Sequence, residues 1–215
     1  MTNIFINCIG NFNFSTASKK NTHDATHNNE VNALAATIQT GTYPETVVPM
    51  EVHDNVEKEI NGTDYNIHVE DTLAIAGLIE GGQKERQVQT FLKSQYTRHQ
   101  EQIWLLVFSV GERETFEFIE ERVFPHLQYL SQSKWECNPK CILVGSQSEK
   151  RKNKKAKCVD SKEAKKLAKK LGCQDYCEVS ATTQDGFDDL FESIEKAHKG
   201  GYPKTKKVFM KKIVL

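Results

Sequence analysis

The sequence predicts an α/β fold, a doubly wound and mostly parallel sheet of six strands in which one hairpin strand runs antiparallel. Three observations predict it. Residues 103–110 hold a continuous apolar run (Ile-Trp-Leu-Leu-Val-Phe), the pattern of a strand buried on both faces at the centre of a parallel sheet. Asn61-Gly62 separates two extended stretches, and both positions of such a two-residue turn require positive φ. Beyond that turn, strand-like and amphipathic helical segments alternate, which is the order that builds βαβ units.

Residues 3–10 (Asn-Ile-Phe-Ile-Asn-Cys-Ile-Gly) read as the first strand. Residues 11–29 are rich in Asn, Thr, Ser and His with almost no aliphatics, so they read as a polar loop or disordered insert. A helix follows over about 30–40, with Val31, Leu34, Ala35 and Ile38 at 3-4-7 spacing and Gly41 as its stop. Residues 51–60 and 65–71 flank the hairpin turn, and residues 72–90 are Gly- and Gln-rich and irregular. After the central strand, a helix over 113–131 gathers Phe116, Ile119, Val123, Leu127 and Leu130 on one side. Pro125 within it removes a hydrogen bond and bends it.

The next strand, 140–145, leads into a basic stretch over 149–157 that reads as a solvated loop. Asp160-Ser-Lys-Glu163 makes a capping box for a helix that stops at Gly172. A last strand spans 176–182. The final helix, about 184–198, aligns Phe187, Leu190, Phe191 and Ile194 and ends at Gly200-Gly201. Residues 1–198 therefore form one domain carrying the insert at 11–29, and residues 199–215 form a basic tail.

Composition narrows the function classes. No run reaches the ~18 apolar residues of a membrane helix, and the N-terminus carries no signal-peptide pattern. The six cysteines lack zinc-knuckle spacing; Cys8, Cys141 and Cys177 fall in predicted strands, where free Cys behaves as a small buried hydrophobe. The expected setting is a reducing one, cytoplasmic and at most peripheral at a membrane. Net charge is zero, yet residues 146–215 hold 18 Lys and Arg against 10 Asp and Glu, a net of +8, leaving −8 on residues 1–145. That asymmetry speaks to partners rather than to fold.

The order of elements and several short motifs resemble the Ras superfamily of small GTPases, and the Rho family within it. Tyr43-Pro-Glu-Thr-Val-Val-Pro-Met50 is similar to the first switch, Phe-Pro-x-x-x-Val-Pro-Thr. Asp71-Thr72 matches the start of Asp-Thr-Ala-Gly. Phe108-Ser109-Val110 resembles the Phe-Ser-Ile that closes the fourth strand. Val123-Phe-Pro-His126 is similar to Trp-x-Pro-Glu, which favours Rho. Leu143-Val-Gly145 and Ser180-Ala181 recur in the last two motifs. The resemblance covers residues 3–10 and 30–198 and implies a P-loop, small-GTPase-like fold.

The departures fall on every chemical task the resemblance implies. No Gly-Lys-Ser/Thr follows Gly10, so a phosphate cradle lacks its further glycines, its Lys and its hydroxyl. The positions of the family's phosphate-binding Lys and Mg²⁺-binding Thr hold Val31 and Asn32. Met50 replaces the switch Thr, and a thioether does not coordinate a hard cation. Past Asp71-Thr72 the family's Ala-Gly-Gln becomes Leu73-Ala-Ile75 or, with the extra residues placed earlier, Ala76-Gly-Leu78; neither supplies the Gln that orients water. The guanine-reading Asn-Lys-x-Asp is Ser146-Gln-Ser-Glu149, and Ser180-Ala181 serves equally as a strand-to-helix turn.

The reading is a Rho-like pseudoGTPase without hydrolytic activity or a required cofactor. The alternative is an atypical switch that still binds GTP or GDP with Mg²⁺. Candidate nucleotide-binding positions are Gly10, Asp71, Glu149, Ser180 and Ala181. The expected partner is an effector or regulatory protein on the switch-equivalent segments, through Tyr43, Pro44, Val48, Pro49, Met50, Leu73 and Leu78. With the phosphates absent, Glu30 and insert side chains are expected to occupy the vacated site. The tail carries Lys204, Lys206, Lys207, Lys211 and Lys212 but ends Lys-Ile-Val-Leu, with no cysteine to prenylate; weak, reversible contact with an anionic membrane is expected there. No nucleic acid is expected as a partner.

Overall fold

Trp104, Leu105 and Leu106 are shut off from solvent because their strand, β4 (Gln102–Ser109), is paired on both edges and covered on both faces. The computed structural model describes residues 2–10, 30–41, 56–71, 87, 88, 90, 94, 102–127, 140–153 and 156–200, without the side chains of residues 30–32, 70 and 71. Among these, β1 (Thr2–Gly10), β2 (Val56–Ile60), β3 (Thr63–Asp71), β4, β5 (Lys140–Ser146) and β6 (Asp175–Glu178) form one sheet in the spatial order β2-β3-β1-β4-β5-β6. β2 pairs antiparallel with β3, and the other pairs are parallel. At the β2–β3 turn Asn61 and Gly62 have φ of 49° and 74°, the left-handed pair that the Asn-Gly signal predicts.

Side-chain alternation along the strands sorts the core into two layers. Ile4, Ile6 and Cys8 of β1, Ile103, Leu105 and Val107 of β4, and Ile142 and Val144 of β5 face α1 (Glu30–Thr40) and α4 (Phe187–Lys199). Ile9, Trp104, Leu106, Phe108 and Leu143 face the other way. There they meet α2 (Arg113–Phe118) with its following turn, and α3 (Ser161–Leu171). Helices on both faces explain why β4 and β5 are buried throughout and apolar in their interiors rather than alternating. Lys140, 2% exposed, is a polar group that enters this core bonded: it donates from Nζ to the carbonyl of His198 at 3.1 Å, where the last turn of α4 has free carbonyls.

Three elements differ from the sequence reading, while residues 51–55 of the expected first hairpin strand lie outside the described residues. The helix expected over 113–131 is α2, then a π-turn at Ile119–Val123, then helical residues 124–127. Phe124 N–H reaches back five residues to the carbonyl of Ile119. Pro125 next in line has no N–H and its ring crowds the carbonyl four residues back, so the chain widens just before it. The last strand stops at Glu178 instead of running to 182, because Ser180 N–H turns to the carbonyl of Asp185 (3.0 Å) and closes a loop. The basic stretch is not simply a solvated loop: Ser148–Lys152 is a 3₁₀ turn. The insert 11–29, segment 43–52, most of 73–96, Leu130, Cys137 and residues 201–215 lie outside the described residues.

Candidate functional site

All the parallel strands end at one edge of the sheet, the edge where open α/β folds bind ligands. Gly10 closes β1 level with Val107 on β4; Val107 is level with Val144 on β5, and Val144 with Cys177 on β6. Asp71 closes β3 level with Cys8, two residues short of Gly10. The edge thus has two halves. Gly10, Asp71 and the start of α1 form one; the segments after β5 and β6 form the other.

The second half is described apart from residues 154 and 155. Ser148 N–H donates to the carbonyl of Val179 at 3.1 Å, and Val179 N–H to the carbonyl of Gly145 at 2.9 Å. These bonds bring Ser146-Gln-Ser-Glu149 against Ser180-Ala181, as a base-reading site requires. The side chains, however, are mostly spent on the protein itself. Ser146 Oγ donates to the carbonyl of Phe108 at 3.2 Å. Gln147, held at φ 58°, accepts from Ser109 Oγ at 2.6 Å. Ser180 is fully buried; its Oγ accepts Thr183 N–H at 3.2 Å and lies 3.0 Å from Thr182 Oγ1, so it shapes a turn. Ala181 packs against the first core layer.

Glu149 differs from its neighbours. Its Oε2 is enclosed and, among the described residues, has no hydrogen-bond partner. A buried acceptor left unmade is costly, so in a native fold it asks for an explanation.

Sequence reasoning missed the element that fixes this loop. Arg151 forks onto Glu178 with Nε–Oε2 at 2.5 Å and Nη2–Oε1 at 2.9 Å, while its Nη1 donates to the carbonyl of Val159 at 2.8 Å. Ser161 Oγ and Tyr176 Oη also donate to Glu178 Oε1, at 2.7 and 2.6 Å. Burial pushes the Glu178 carboxyl up, but the bonds from Arg151, Tyr176 and Ser161 outweigh it and hold the group below the usual carboxylate range. Burial, then the bond to Glu178, pushes the Tyr176 phenol up. The available signal was a lone arginine among the lysines of 150–157.

Other reactive groups lie in the core. Burial pushes the Cys141 thiol up to about 12 and the Cys177 thiol to about 11, so both stay protonated and are not nucleophiles. Of the predicted site residues, Glu149, Ser180 and Ala181 come together, and Gly10 and Asp71 close adjacent strands in the other half. The side chain of Asp71 and the partner-surface residues Tyr43, Pro44, Val48, Pro49, Met50, Leu73 and Leu78 fall outside the described residues.

Sheet order, helix placement and the two-part edge define an α/β protein of the small-GTPase-like class. The sequence profile of the Ras family matches residues 33–199, and the chain belongs to that family. No curated protein matches the chain.

Proposed function

We propose that this Ras-family chain is a Rho-like pseudoGTPase, a protein-interaction or regulatory module in which GTP binding is weak or lost and hydrolysis absent. One observation carries the reading. α1 begins at Glu30, so its first turn, where the resemblance places the phosphate Lys and the Mg²⁺ hydroxyl, is Val31-Asn32. A valine supplies no cation and no donor, and Asn32 offers an amide in place of a hydroxyl. The donor set at the phosphate end does not fit a nucleoside triphosphate with Mg²⁺. At the base end, the Ser146 and Gln147 side chains are bonded to Phe108 and Ser109. Val123-Phe-Pro-His126 supports Rho over other branches.

Ras-family proteins generally bind effectors or regulators. Here that role falls to the switch-equivalent segments 43–52 and 73–96, in the cytoplasm or peripherally at a membrane through the basic tail. A second reading, an atypical switch that retains GTP or GDP, is favoured by Glu149, whose Oε2 has no partner among the described residues and could accept from a guanine.

Calorimetric titration with GDP and a non-hydrolysable GTP analogue, with and without Mg²⁺, separates the two. The expected result is a Kd weaker than about 1 μM that Mg²⁺ does not change. A tighter, Mg²⁺-dependent Kd, above ~8 kcal/mol of binding, is more than Glu149 and the Ser180 loop supply and would overturn the reading.

A further inference from the structure

Among the described residues β6 pairs only with β5, so the far side of this strand is an open sheet edge. A groove of about 480 Å³ runs along it, walled by α3 on one side and α4 on the other. Val179 N–H, one residue past β6, donates to the carbonyl of Gly145 on β5. Backbone groups of successive residues turn to opposite edges, so Glu178 N–H and the Tyr176 N–H and carbonyl turn away from β5, into the groove. Tyr176 N–H is met there by Asp175 Oδ1 at 2.8 Å. Glu178 N–H and the Tyr176 carbonyl remain. One residue of an added parallel strand, level with Cys177, would satisfy this donor and this acceptor together.

The two walls differ in charge, with every carboxylate counted as ionised. Asp175 and Cys177 turn to α4, where Ser193 Oγ donates to Asp175 Oδ2 at 2.7 Å and lies 3.3 Å from Cys177 Sγ. On that wall Asp175, Asp189 and Glu192 stand against Lys196, so three negative charges meet one positive and leave −2. Lys196 pairs with Glu192 at 3.3 Å. Asp189 is exposed and, among the described residues, makes no ion pair. Tyr176 and Glu178 turn to α3, where Ser161 Oγ donates to Glu178. On this wall Lys165 stands against Glu178, and Arg151 matches the Glu178 charge. The α4 wall is therefore acidic and the α3 wall is not.

An added strand sends every second side chain to the same wall. The residue level with Cys177 would point its side chain as Cys177 does, toward α4 and Asp189. The complement to this groove is an extended segment with Lys or Arg at every second position, facing α4. Uncharged polar residues between them would face Lys165 and Ser161. Main-chain bonds would supply the hold, and the alternating charge the selection.

We propose that the open side of β6 takes up such a basic, extended segment of a partner protein as a seventh strand, with Tyr176 and Glu178 holding its backbone and Asp189 selecting its cationic side chains. The inference does not depend on whether nucleotide binds.

The probe is a labelled synthetic peptide of about eight residues in which Lys and Thr alternate, titrated into the full chain by fluorescence anisotropy and by amide NMR spectra. It is expected to shift the Tyr176, Cys177 and Glu178 amides and to protect Glu178 N–H from exchange. A peptide of the same composition with its lysines in one block should bind about fivefold more weakly or worse. N-methylation at the lysines, whose backbone faces β6, should abolish binding, and N-methylation at the threonines should change it less than about twofold. Asp189→Lys should weaken binding about fivefold and Asp189→Asn about twofold. Glu121→Lys, the same charge change on the exposed π-turn, should leave it unchanged. All variants should melt within about 3 °C of wild type. The proposal fails if the alternating peptide does not bind at about 1 mM, a weak limit for strand addition. It fails equally if the block or lysine-methylated peptide binds as well, or if Glu121→Lys weakens binding as much as Asp189→Lys. Protection of Glu178 N–H in the free chain would also overturn it. Sedimentation velocity would then show a second copy in the groove if the chain is a dimer, or a segment of its own if it is a monomer.

Discussion

The Arg151 guanidinium lies in a two-point grip on the Glu178 carboxylate, 27 positions away in sequence, and so ties the 3₁₀ turn after β5 to the end of β6. The side chains are 27% and 21% exposed, dry enough for the grip to matter. Arg151→Ala leaves Glu178 charged and only partly hydrated, with Ser161 and Tyr176 as its remaining donors. A loss of about 2 kcal/mol, or roughly 6 °C in melting temperature, is expected. Arg151→Lys keeps the charge but not the fork and should lose about half as much. Thermal denaturation of both variants checks this, and an unchanged melting temperature in Arg151→Ala would show the loop is held by other means.

The contrast between this contact and its surroundings explains what the sequence makes legible. The central strands are readable because burial on both faces leaves only apolar choices at residues 103–108, and α3 because Asp160 and Gly172 mark its ends. Cap chemistry is local, and so is the Asn61-Gly62 turn. Glu163 shows the limit: a capping box has it reach back to its own helix start, but Arg113 of α2 takes it instead. Arg151 and Glu178 meet only through tertiary folding, and no periodicity announces a pair 27 apart. The π-turn leaves a single trace, Pro125. At the site, motif order places Glu149 and Ser180 after adjacent strands, while the inward bonding of Ser146 and Gln147 depends on Phe108 and Ser109 of another strand.

Glu195, buried on α4, accepts from Asn61 Nδ2 (2.7 Å), Tyr65 Oη (2.8 Å) and Lys199 Nζ (2.8 Å). The bond from Lys199, then those from Asn61 and Tyr65, bring its carboxyl down to about 2. A carboxyl depressed on folding contributes stability that is complete above its unfolded value and lost as pH falls through the folded one. The contribution should hold at neutral pH and drain away between about pH 4.5 and pH 2. Glu195→Gln should be less stable than wild type at pH 7, and the gap should close across that acid window. Urea midpoints measured at several pH values test it; a gap independent of pH would mean that the charge is not what the three donors recognise.

Gly186 opens α4 at φ 82°, and a Cβ there would sit 2.1 Å from the carbonyl oxygen of Glu178. Backbone, not a flexible side chain, is in the way. Gly186→Ala should destabilise by about 3 kcal/mol or more and shift the Ser180 loop. Gly172, at φ 73° past α3, has open space around the same position, so Gly172→Ala should cost only about 1 kcal/mol. Equal losses in the two variants would mean that φ alone, without the clash, sets the penalty.

Glu149 distinguishes a structural remnant from a working base reader. Its enclosed Oε2 has no donor among the described residues, and such an unmade bond costs about 1–3 kcal/mol. If no base is ever bound, nothing compensates for that cost, and removing the carboxylate should relieve it. Glu149→Leu is then expected to raise the melting temperature by roughly 3 °C, corresponding to about 1 kcal/mol, and to leave the weak GDP titration unchanged. The conservative Glu149→Gln offers two donors as well as an acceptor and should fall between Leu and wild type. In a chain that reads guanine, the same Leu variant would lose nucleotide affinity by tenfold or more and melt lower in its presence, since a bound ligand stabilises in proportion to its occupancy. Melting curves with and without GDP, run side by side on the three proteins, decide between these outcomes.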